Sequence, residues 1–390
     1  MRKTKPSIRF AEFTDDWVQR ELNQVAPVTM GTSPKSENYT ENPDDHILVQ
    51  GNADMNNGFV SPRVWTTQVT KTAEAGNLIL SVRAPVGEVG KTAYDVVLGR
   101  GVAGIKGNEF IFQSLKQVQS KGYWARMSSG STFDSVTSEQ VKTLPIMVPD
   151  EAEQELIGKF LCQLDDLIAA NQRQLDLLKK QKKGFLQKMF PKQGAKVPEL
   201  RFAEFTDDWV QRKFSDFYKK NLERNKGQFA ADRTISIATM RFREEGNGAS
   251  EDSLASYKVL REGDIAFEGH TSKRFAFGRF VLNDIGDGIM SPRFTTLRPI
   301  KDMPVTFWKQ YIHYEPIMRY PIVHSTKLGT MMNELVVDEF LNQPVLVPSD
   351  AEQNQIGQVL TLVDNLIDAN QRQLDLLKEQ KKGFLQKMFV

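Results

Sequence analysis

Apolar side chains recur at alternating steps of three and four residues in two long stretches, one in the middle of the chain and one at its end. This spacing is typical of the contact seam of a coiled coil. It predicts a helix from about residue 152 to 189, roughly 55 Å long, and a second such helix within 344–390. The predicted seam positions are Ile157, Leu161, Leu164, Ile168, Leu175, Leu178 and Phe185 in the first helix, and Ile356, Leu360, Val363, Ile367, Leu374, Leu377 and Phe384 in the second.

The charges on the two predicted helices indicate how they pair. In both helices the first half is rich in acidic residues and the last part is rich in lysine. Antiparallel pairing sets acid against base and opposes the helix dipoles, so we expect an antiparallel pair within one chain. Asn171 and Asn370 occupy seam positions near the middle of each helix, where a polar side chain either fixes the register or marks a solvated kink.

The remaining sequence has the shorter runs of apolar residues that are typical of β-strands, separated by Gly, Pro and Asn. We therefore expect an α+β fold: two mixed α/β domains and two long helices that form an antiparallel intramolecular coiled coil with pseudo-two-fold symmetry. Strands are predicted at 46–51, 77–82, 94–99, 234–240, 263–269 and 279–284, and shorter helices near 110–119 and 306–320.

Two parts of the chain occur twice. The leader, RFAEFTDDWVQR at 9–20, recurs unchanged at 201–212, and 32 of the 46 residues in 145–190 are identical in 344–389. The two inserts between these borders, 21–144 and 213–343, share little. A constant frame with divergent inserts is expected if the inserts decide what the protein does and the frame only places them. The predicted organisation is a domain at 1–144, a long helix at 145–190, a linker at 191–200, a domain at 201–343 and a long helix at 344–390.

Composition limits the partners and the compartment. The chain has 390 residues with 51 basic and 49 acidic side chains, so a nucleic-acid partner must be met by local basic clusters. A single cysteine, Cys162, excludes an internal disulfide and fits a reducing compartment. The N-terminus lacks the apolar core of a signal peptide and no apolar run is long enough to span a membrane, so we expect a cytoplasmic protein without a membrane partner.

Patterns that suggest chemistry are weak. Gly90-Lys91-Thr92 resembles the end of a phosphate-binding loop, but Pro85 stands where the first glycine belongs and no helix is expected after it. The G-x-G-x-x-G pattern at 99–104 also lacks a following helix. The four histidines are scattered and no cysteine cluster occurs, so we expect no catalytic residue, no metal site and no cofactor.

Several segments, in this order, resemble the specificity subunit of type I restriction–modification systems. They are the doubled leader RFAEFTDDW, NLILSVRAPVGEVG at 77–90, GSTFDSV at 130–136 with the following LPIMVP, and the AEQ…IG opening of both long helices. The resemblance covers essentially the whole chain. In the second insert, His270-Thr271-Ser272 replaces Arg83-Ala84-Pro85, and GTMMNEL at 329–335 replaces GSTFDSV, which suggests a different specificity.

The resemblance implies a subunit that reads DNA and has no active site of its own. Two target recognition domains would each read one half of a split double-stranded DNA target. The helix pair would space them and bind two methyltransferase subunits, and restriction subunits would join this core. Half-sites about one helical turn apart, roughly 34 Å, suit helices of the predicted length. The runner-up is a non-catalytic scaffold whose two domains bind two protein partners through the coiled-coil spacer.

Phosphate contacts would come from basic residues in loop-like stretches, each of which is equally consistent with an ordinary solvated charge. Tyr123 and Trp124 either stack on nucleic acid or, as is more common, pack in a core. The candidate DNA-binding residues are Arg63, Arg83, Lys91, Arg100 and Arg126 in the first insert, and Arg233, Arg241, Arg243, Lys273, Arg274, Arg279, Arg293 and Lys327 in the second.

Overall fold

A computed structural model describes residues 4–56, 58–127, 135–192, 194–243, 248, 250–273, 275–330 and 332–390. The chain forms two compact units, Met1–Arg173 with Arg372–Val390, and Gln174–Gln371. Each unit therefore combines one leader and one insert with the start of one long helix and the end of the other.

Both long helices predicted from the seam pattern are present. They have 39 and 38 residues and cover the predicted coiled-coil stretches. The helices are α1 Leu22–Val25, α2 Glu109–Ser120, α3 Tyr123–Met127, α4 Ser138–Lys142, α5 Glu151–Met189, α6 Glu251–Leu254, α7 Val305–His313, α8 Glu315–Val323, α9 Val337–Leu341 and α10 Asp350–Lys387.

The first unit contains a six-stranded sheet in the order β2-β12-β9-β10-β6-β5 and a five-stranded sheet in the order β3-β7-β4-β11-β8. Its strands are β1 Val18–Glu21, β2 Val28–Met30, β3 Tyr39–Thr40, β4 His46–Val49, β5 Met55–Asn56, β6 Phe59–Val60, β7 Trp65–Thr66, β8 Thr72–Ala73, β9 Leu78–Ser81, β10 Val89–Lys91, β11 Val96–Leu98, β12 Val102–Ile105 and β13 Pro145–Val148.

The second unit contains a four-stranded sheet in the order β15-β22-β19-β20 and several two-stranded pairs. Its strands are β14 Val210–Lys213, β15 Tyr218–Lys220, β16 Ile235–Ser236, β17 Arg241–Phe242, β18 Lys258–Leu260, β19 Ile265–Glu268, β20 Arg279–Leu282, β21 Gly288–Met290, β22 Thr295–Pro299, β23 Thr326–Lys327, β24 Glu334–Leu335 and β25 Pro344–Val347.

A buried apolar strand lies inside the main sheet of each unit. All four residues of β9 are buried, and the strand pairs antiparallel with β10 and β12. In the second unit β19 pairs antiparallel with β20 and β22 in the same way. Gly90 and Lys91 lie within β10, so the Gly-Lys-Thr sequence is part of a strand. The G-x-G-x-x-G sequence begins in the turn between β11 and β12.

The predicted helix at 306–320 was wrong in one respect, because the segment forms two helices. Tyr314 between α7 and α8 is extended, with φ −83° and ψ 96°. Pro316 lies in the first turn of α8, where its missing N–H costs nothing, whereas in a continuous helix it would remove a hydrogen bond. The predicted strand at 234–240 is also shorter than expected and keeps only β16.

Each insert begins and ends at a short antiparallel ribbon. In the first unit β1 pairs with β13, so that Glu21 lies opposite Pro145. In the second unit β14 pairs with β25, and Lys213 lies opposite Pro344. The chain therefore leaves the frame and returns to it at neighbouring points. This geometry lets the inserts differ without moving the helix that follows.

The long helices pair antiparallel in both units, as the charges predict. In the first unit Phe160 packs against Phe384 with ring centroids 5.0 Å apart, and further along α5 Asp165 pairs with the earlier residue Lys381 of α10 at 2.5 Å. Higher residue numbers in α5 thus face lower residue numbers in α10, so the two helices run in opposite directions. In the second unit Asp364 of α10 pairs with Lys182 of α5 at 2.5 Å.

A buried carboxylate ties the first leader to the first turn of α5. Glu153 is fully buried and accepts two hydrogen bonds of 2.7 Å from the Arg9 guanidinium, one from Nε and one from Nη2. Trp17 Nε1 donates a third hydrogen bond to Glu153 at 3.2 Å. The bidentate geometry and the third donor compensate a charge that would otherwise be costly to bury.

The second unit repeats this clamp. Arg201 donates through Nε and Nη2 to Glu352 at 2.8 Å each, and Trp209 Nε1 donates to Glu352 at 3.3 Å. The hydrogen bonds to Glu352 raise the pKa of Arg201. Both leaders therefore use the same three residue types to hold the start of the following long helix.

The residues just before each leader also bind the end of the other long helix. Ser7 N and Ile8 N donate to the carbonyl of Lys387 at the end of α10, at 2.8 and 2.9 Å. Leu200 N donates to the carbonyl of Lys188 near the end of α5 at 2.8 Å. These bonds satisfy carbonyls that have no partner inside a helix. Within each unit the leader thus joins the start of one helix to the end of the other.

We predict that Glu153→Ala destabilises the first unit by about 3–5 kcal/mol, because it leaves the buried Arg9 guanidinium and the Trp17 indole without their acceptor. The matched control is Glu151→Ala, which removes an exposed acidic residue from the same helical turn and should cost less than about 1 kcal/mol. Urea denaturation of the full chain measures both. Equal effects of the two substitutions would contradict the structural role of the clamp.

Candidate nucleic-acid interface

The predicted seam residues are all buried or half-buried, and their place in the helix interface stays a prediction. Half-buried positions are Ile168, Asn171, Phe185, Ile367, Asn370 and Phe384, and the fully buried ones are Ile157, Leu161, Leu164, Leu175, Leu178, Ile356, Leu360, Val363, Leu374 and Leu377. Asn171 and Asn370 each donate a hydrogen bond of 2.9 Å to the carbonyl four residues earlier in their own helix. Both helices continue through these asparagines, so neither marks a helix end. Their role in register stays a prediction.

Four of the candidate DNA-binding residues are held by partners within their own unit. In the first unit Arg63 pairs with the buried Asp54 at 2.9 Å. Lys91 forms an ion pair with Glu109 and lies 4.4 Å from the centre of the Phe112 ring. These contacts leave both side chains less free to bind an external phosphate.

The second unit holds two more candidates in the same way. Arg279 pairs with Glu268 at 2.7 Å. Arg233 donates to the carbonyl of Asp287 and lies 4.0 Å from the centre of the Phe242 ring. Each side chain supports the insert itself.

A second group of candidates is exposed. Within the described part of the chain, Arg83, Arg100, Arg241, Arg243, Lys273, Arg293 and Lys327 form no ion pair. Arg126 is also exposed and donates to the carbonyl of Lys121 at 3.2 Å. Arg274 lies outside the described residues, as do residues 128–134, which include the first five of the GSTFDSV segment, and Met331 of GTMMNEL. The backbone of Arg83 forms a bridge with Ser135, just after the first of these gaps.

Exposed cations of the second insert line two neighbouring clefts. One, of about 650 Å³, is lined by Arg241 and Lys273 together with the paired Arg279. The other, of about 400 Å³, is lined by Arg243 and Arg293. Ala238 lines both clefts. The structure thus brings five of the predicted residues into one region of the second insert.

Known proteins are similar to this chain both in sequence and in fold. Residues 14–180 match the family model described as type I restriction modification DNA specificity domain. A putative type I restriction enzyme specificity subunit from Methanocaldococcus jannaschii, MjaX, is 31% identical over 180 residues, which cover 44% of this chain and 42% of that protein. The MjaIX specificity subunit of the same organism is 21% identical over 96% of this chain and 92% of that protein.

The chain is thus similar to the specificity subunits of type I restriction enzymes, and the family model matches part of its first leader, its first insert and most of its first long helix.

The fold agrees with this similarity. The crystal structure of a type I restriction–modification S subunit from M. genitalium matches with a TM-score of 0.67, at 14% identity, and the match covers 99% of both chains. The α+β class and the antiparallel helix pair that the sequence predicts are therefore confirmed. Among the described residues of this chain, no helix is long and apolar enough to cross a membrane. The same residues contain no group of His, Cys, Asp and Glu that could hold a metal ion.

The sequence does not reveal an ion-pair network in the second insert. Arg298 pairs with the buried Asp264 at 2.8 Å and also with Glu223, which in turn accepts from Arg261 at 2.6 Å. Burial raises the pKa of Asp264, while the hydrogen bond from Arg298 opposes this shift. Arg261 also reaches Asp287 at 2.7 Å. These arginines therefore stabilise the insert and are not free cations.

The open question of Tyr123 and Trp124 is answered by burial. Trp124 is 2% exposed and belongs to the core of the first unit, and Tyr123 meets it edge-on with ring centroids 5.5 Å apart. Trp124 therefore packs in the core. Cys162 is a half-exposed free thiol in α5, and burial raises its pKa.

His313 is a neutral imidazole beside the larger cleft; part of its side chain is exposed, and one ring nitrogen faces β20. Its Nε2 accepts a hydrogen bond from Leu282 N at 3.2 Å, which requires that this nitrogen carries no proton. Burial, together with the nearby charges of Lys309 and Arg279, lowers the pKa of His313 to about 4. The second unit therefore depends on an unprotonated histidine at the join of α7 and β20.

We predict that the second unit loses stability as the pH falls from about 6.5 to about 4. In this range the unfolded chain binds a proton at His313 and the folded chain does not; because the side chain is partly exposed and water screens it, we expect a loss of only about 1 kcal/mol, and none above about pH 7. His313→Gln should flatten the dependence, whereas His324→Gln, whose ring contacts a carbonyl of its own helix, should not. Thermal unfolding at several pH values measures this. An unchanged profile for His313→Gln would refute the assignment.

Proposed function

We propose that this chain is the DNA sequence-recognition subunit of a type I restriction–modification complex, acting in the cytoplasm and without catalysis of its own. Each insert reads one half of a bipartite double-stranded DNA target. The observation that carries this proposal is the frame. Two inserts with little common sequence are held by identical clamps, Arg9–Glu153–Trp17 and its repeat, and each presents unpaired cations to solvent.

The domain assignment forms part of the proposal. Residues 1–144 and 201–343 are the two target recognition domains, 145–190 and 344–390 supply the long helices, and 191–200 link the halves. The ribbons β1–β13 and β14–β25 support these limits, because each closes where an insert ends.

The long helices bind two methyltransferase subunits, with which restriction subunits assemble. Support comes from leucines that face solvent on both helices. Leu167 and Leu376 in the first unit are both 52% exposed, and their repeats in the second unit, Leu366 and Leu177, are 44% and 49% exposed. Because the same exposed positions occur once in each unit, the pattern fits two copies of one partner.

The alternative is a scaffold whose two inserts bind two protein partners. The exposed leucines and the duplicated frame fit both functions equally well. The unpaired arginines and lysines of the inserts favour DNA, since phosphate binding depends on cations that are free of internal partners. The two functions differ in how binding responds to salt.

We predict that binding to duplex DNA, with the partner methyltransferase present, weakens steeply with salt concentration. Arg241→Ala should reduce the slope of log K against log salt by about 1, because one phosphate contact is lost. Arg100→Ala should do the same in the first unit. Fluorescence anisotropy at several salt concentrations measures the slopes.

The matched controls remove the same charge from cations that are paired inside the protein. Arg279→Ala in the second unit and Arg63→Ala in the first should change the salt slope little, because their guanidinium groups are held by Glu268 and Asp54. A salt-independent affinity of the parent complex would favour the scaffold. Equal slope changes for paired and unpaired positions would contradict the assignment of contacts.

We predict that exchanging residues 21–144 for the insert of another specificity subunit changes one half of the methylated DNA sequence and leaves the other half unchanged. The reason is that the ribbon and the clamp hold each insert separately. Long-read sequencing of methylated adenines in cells that express the complex provides the measurement. A change in both halves would show that the inserts do not read independently.

A further inference from the structure

One helix of each insert packs against the frame. The two helices have the same residue type at two aligned positions. The helices are α2 in the first insert and α7 in the second. Over their first eight aligned positions, EFIFQSLK and TFWKQYIH, only the phenylalanine and the glutamine three residues later are identical. The pairs are Phe110 with Gln113, and Phe307 with Gln310.

The glutamine reaches a carboxylate that also bridges the two long helices. Gln113 Nε2 donates to Asp165 of α5 at 2.8 Å, and Lys381 of α10 donates to the other oxygen of Asp165 at 2.5 Å. The insert and both helices therefore meet at one carboxylate.

The second unit has the same arrangement with the roles of the helices exchanged. Gln310 Nε2 donates to Asp364 of α10 at 2.8 Å, and Lys182 of α5 lies 2.5 Å from the other oxygen of Asp364. In both units the glutamine donates to Oδ2 of the aspartate and the lysine binds Oδ1, although the inserts differ in sequence.

The phenylalanine enters an aromatic pocket made by the frame. Phe110 stacks on Phe389, with ring centroids 5.2 Å apart, and meets the edge of the leader residue Trp17 at 5.5 Å. All three rings are buried. The pocket is thus made by the leader and by the second residue after the end of α10.

Phe307 occupies the equivalent pocket of the second unit. It lies 5.9 Å from Phe190 and 6.3 Å from Trp209. A glycine of the long helix allows this approach. A Cβ on Gly357 would come within 2.6 Å of Phe307 N, and one on Gly158 would come within 3.0 Å of Phe110 N.

We propose that Phe-x-x-Gln is the docking motif by which an insert is seated in the frame and held in a fixed orientation, and that any insert that works in this frame must present it. The receiving socket consists of Trp17, Gly158, Asp165, Lys381 and Phe389 in the first unit, and Trp209, Gly357, Asp364, Lys182 and Phe190 in the second. All five residue types are the same in both sockets. Phe110, Gln113, Phe307 and Gln310 are positioning residues, and their effect on DNA reading rests on the proposed function.

Hydrogen exchange of the full chain tests the socket without DNA. Gln113→Met keeps the length of the side chain but removes the donor to Asp165. It also removes the hydrogen bond of 2.9 Å from Gln113 to Glu109 within α2, so the readout of the socket is α5. We expect residues 158–166 of α5 to exchange about tenfold faster, the effect of losing the hydrogen bond to the charged Asp165. The control is Gln119→Met in the same helix, because Gln119 bonds only to Glu88 of its own insert. Equal acceleration by both, or none by Gln113→Met, would overturn the proposal.

Gln310→Met repeats the test in the second unit, where the unaltered first unit serves as an internal reference if one variant folds poorly. We expect faster exchange in α7 and near Asp364 only. Acceleration spread over both units would overturn the proposal, because each socket is expected to act on its own insert.

A second readout separates orientation from folding. In cells that contain the partner methyltransferase, Gln113→Met should broaden the spacer length between the two methylated half-sites while the bases of each half stay the same. Gln119→Met should keep the parent spacer. A uniform loss of methylation with an unchanged spacer would limit Gln113 to stability and overturn its positioning role. Absence of any bipartite methylated motif for the parent chain would instead refute the proposed function and leave the exchange result intact.

Discussion

The fold depends on a carboxylate that is buried at the first turn of each long helix. Glu153 and Glu352 are almost inaccessible to water, and each is neutralised by a bidentate arginine and an indole from the leader that precedes the insert. An ion in this position is tolerated only when every donor is in place. More than a hundred residues separate the leader from the helix, and the chain between them must fold so that the helix contacts the leader. This contact defines the unit.

The frame could be predicted from the sequence because its signals are periodic and duplicated. The heptad seam places the first long helix to within about one residue, whereas the second, predicted within 344–390, begins only at Asp350 because β25 occupies the start of that range, and it ends at Lys387. Opposite charges at the ends give the direction of pairing. The buried strands β9 and β19 follow from their runs of apolar residues. In the sequence, the clamp is indicated only by the identical residues of the two leaders. Repetition marks Arg9 and Trp17, but no local pattern shows which carboxylate they meet 136 or more residues later.

The candidate contacts were less predictable, because a charge in a sequence does not show its partner. Arg63 and Arg241 look alike as basic residues in loops, yet the first is paired with a buried aspartate and the second faces a cleft. The same reason explains why Arg261 and Arg298 escaped notice as structural residues. The break between α7 and α8 needed local stereochemistry, since one proline outweighs the apolar pattern around it.

The ribbon that closes each insert has a consequence for how such chains change in evolution. Its strands bring the two ends of an insert side by side. The length of the chain between these ends therefore has little effect on the position of the frame residues. The entropy of closing a chain grows with the logarithm of its length, and even a doubling costs only about 0.6 kcal/mol. The second insert is already seven residues longer than the first. Recombination between the identical leader sequences can thus deliver inserts of quite different sizes, and the acceptor chain remains foldable.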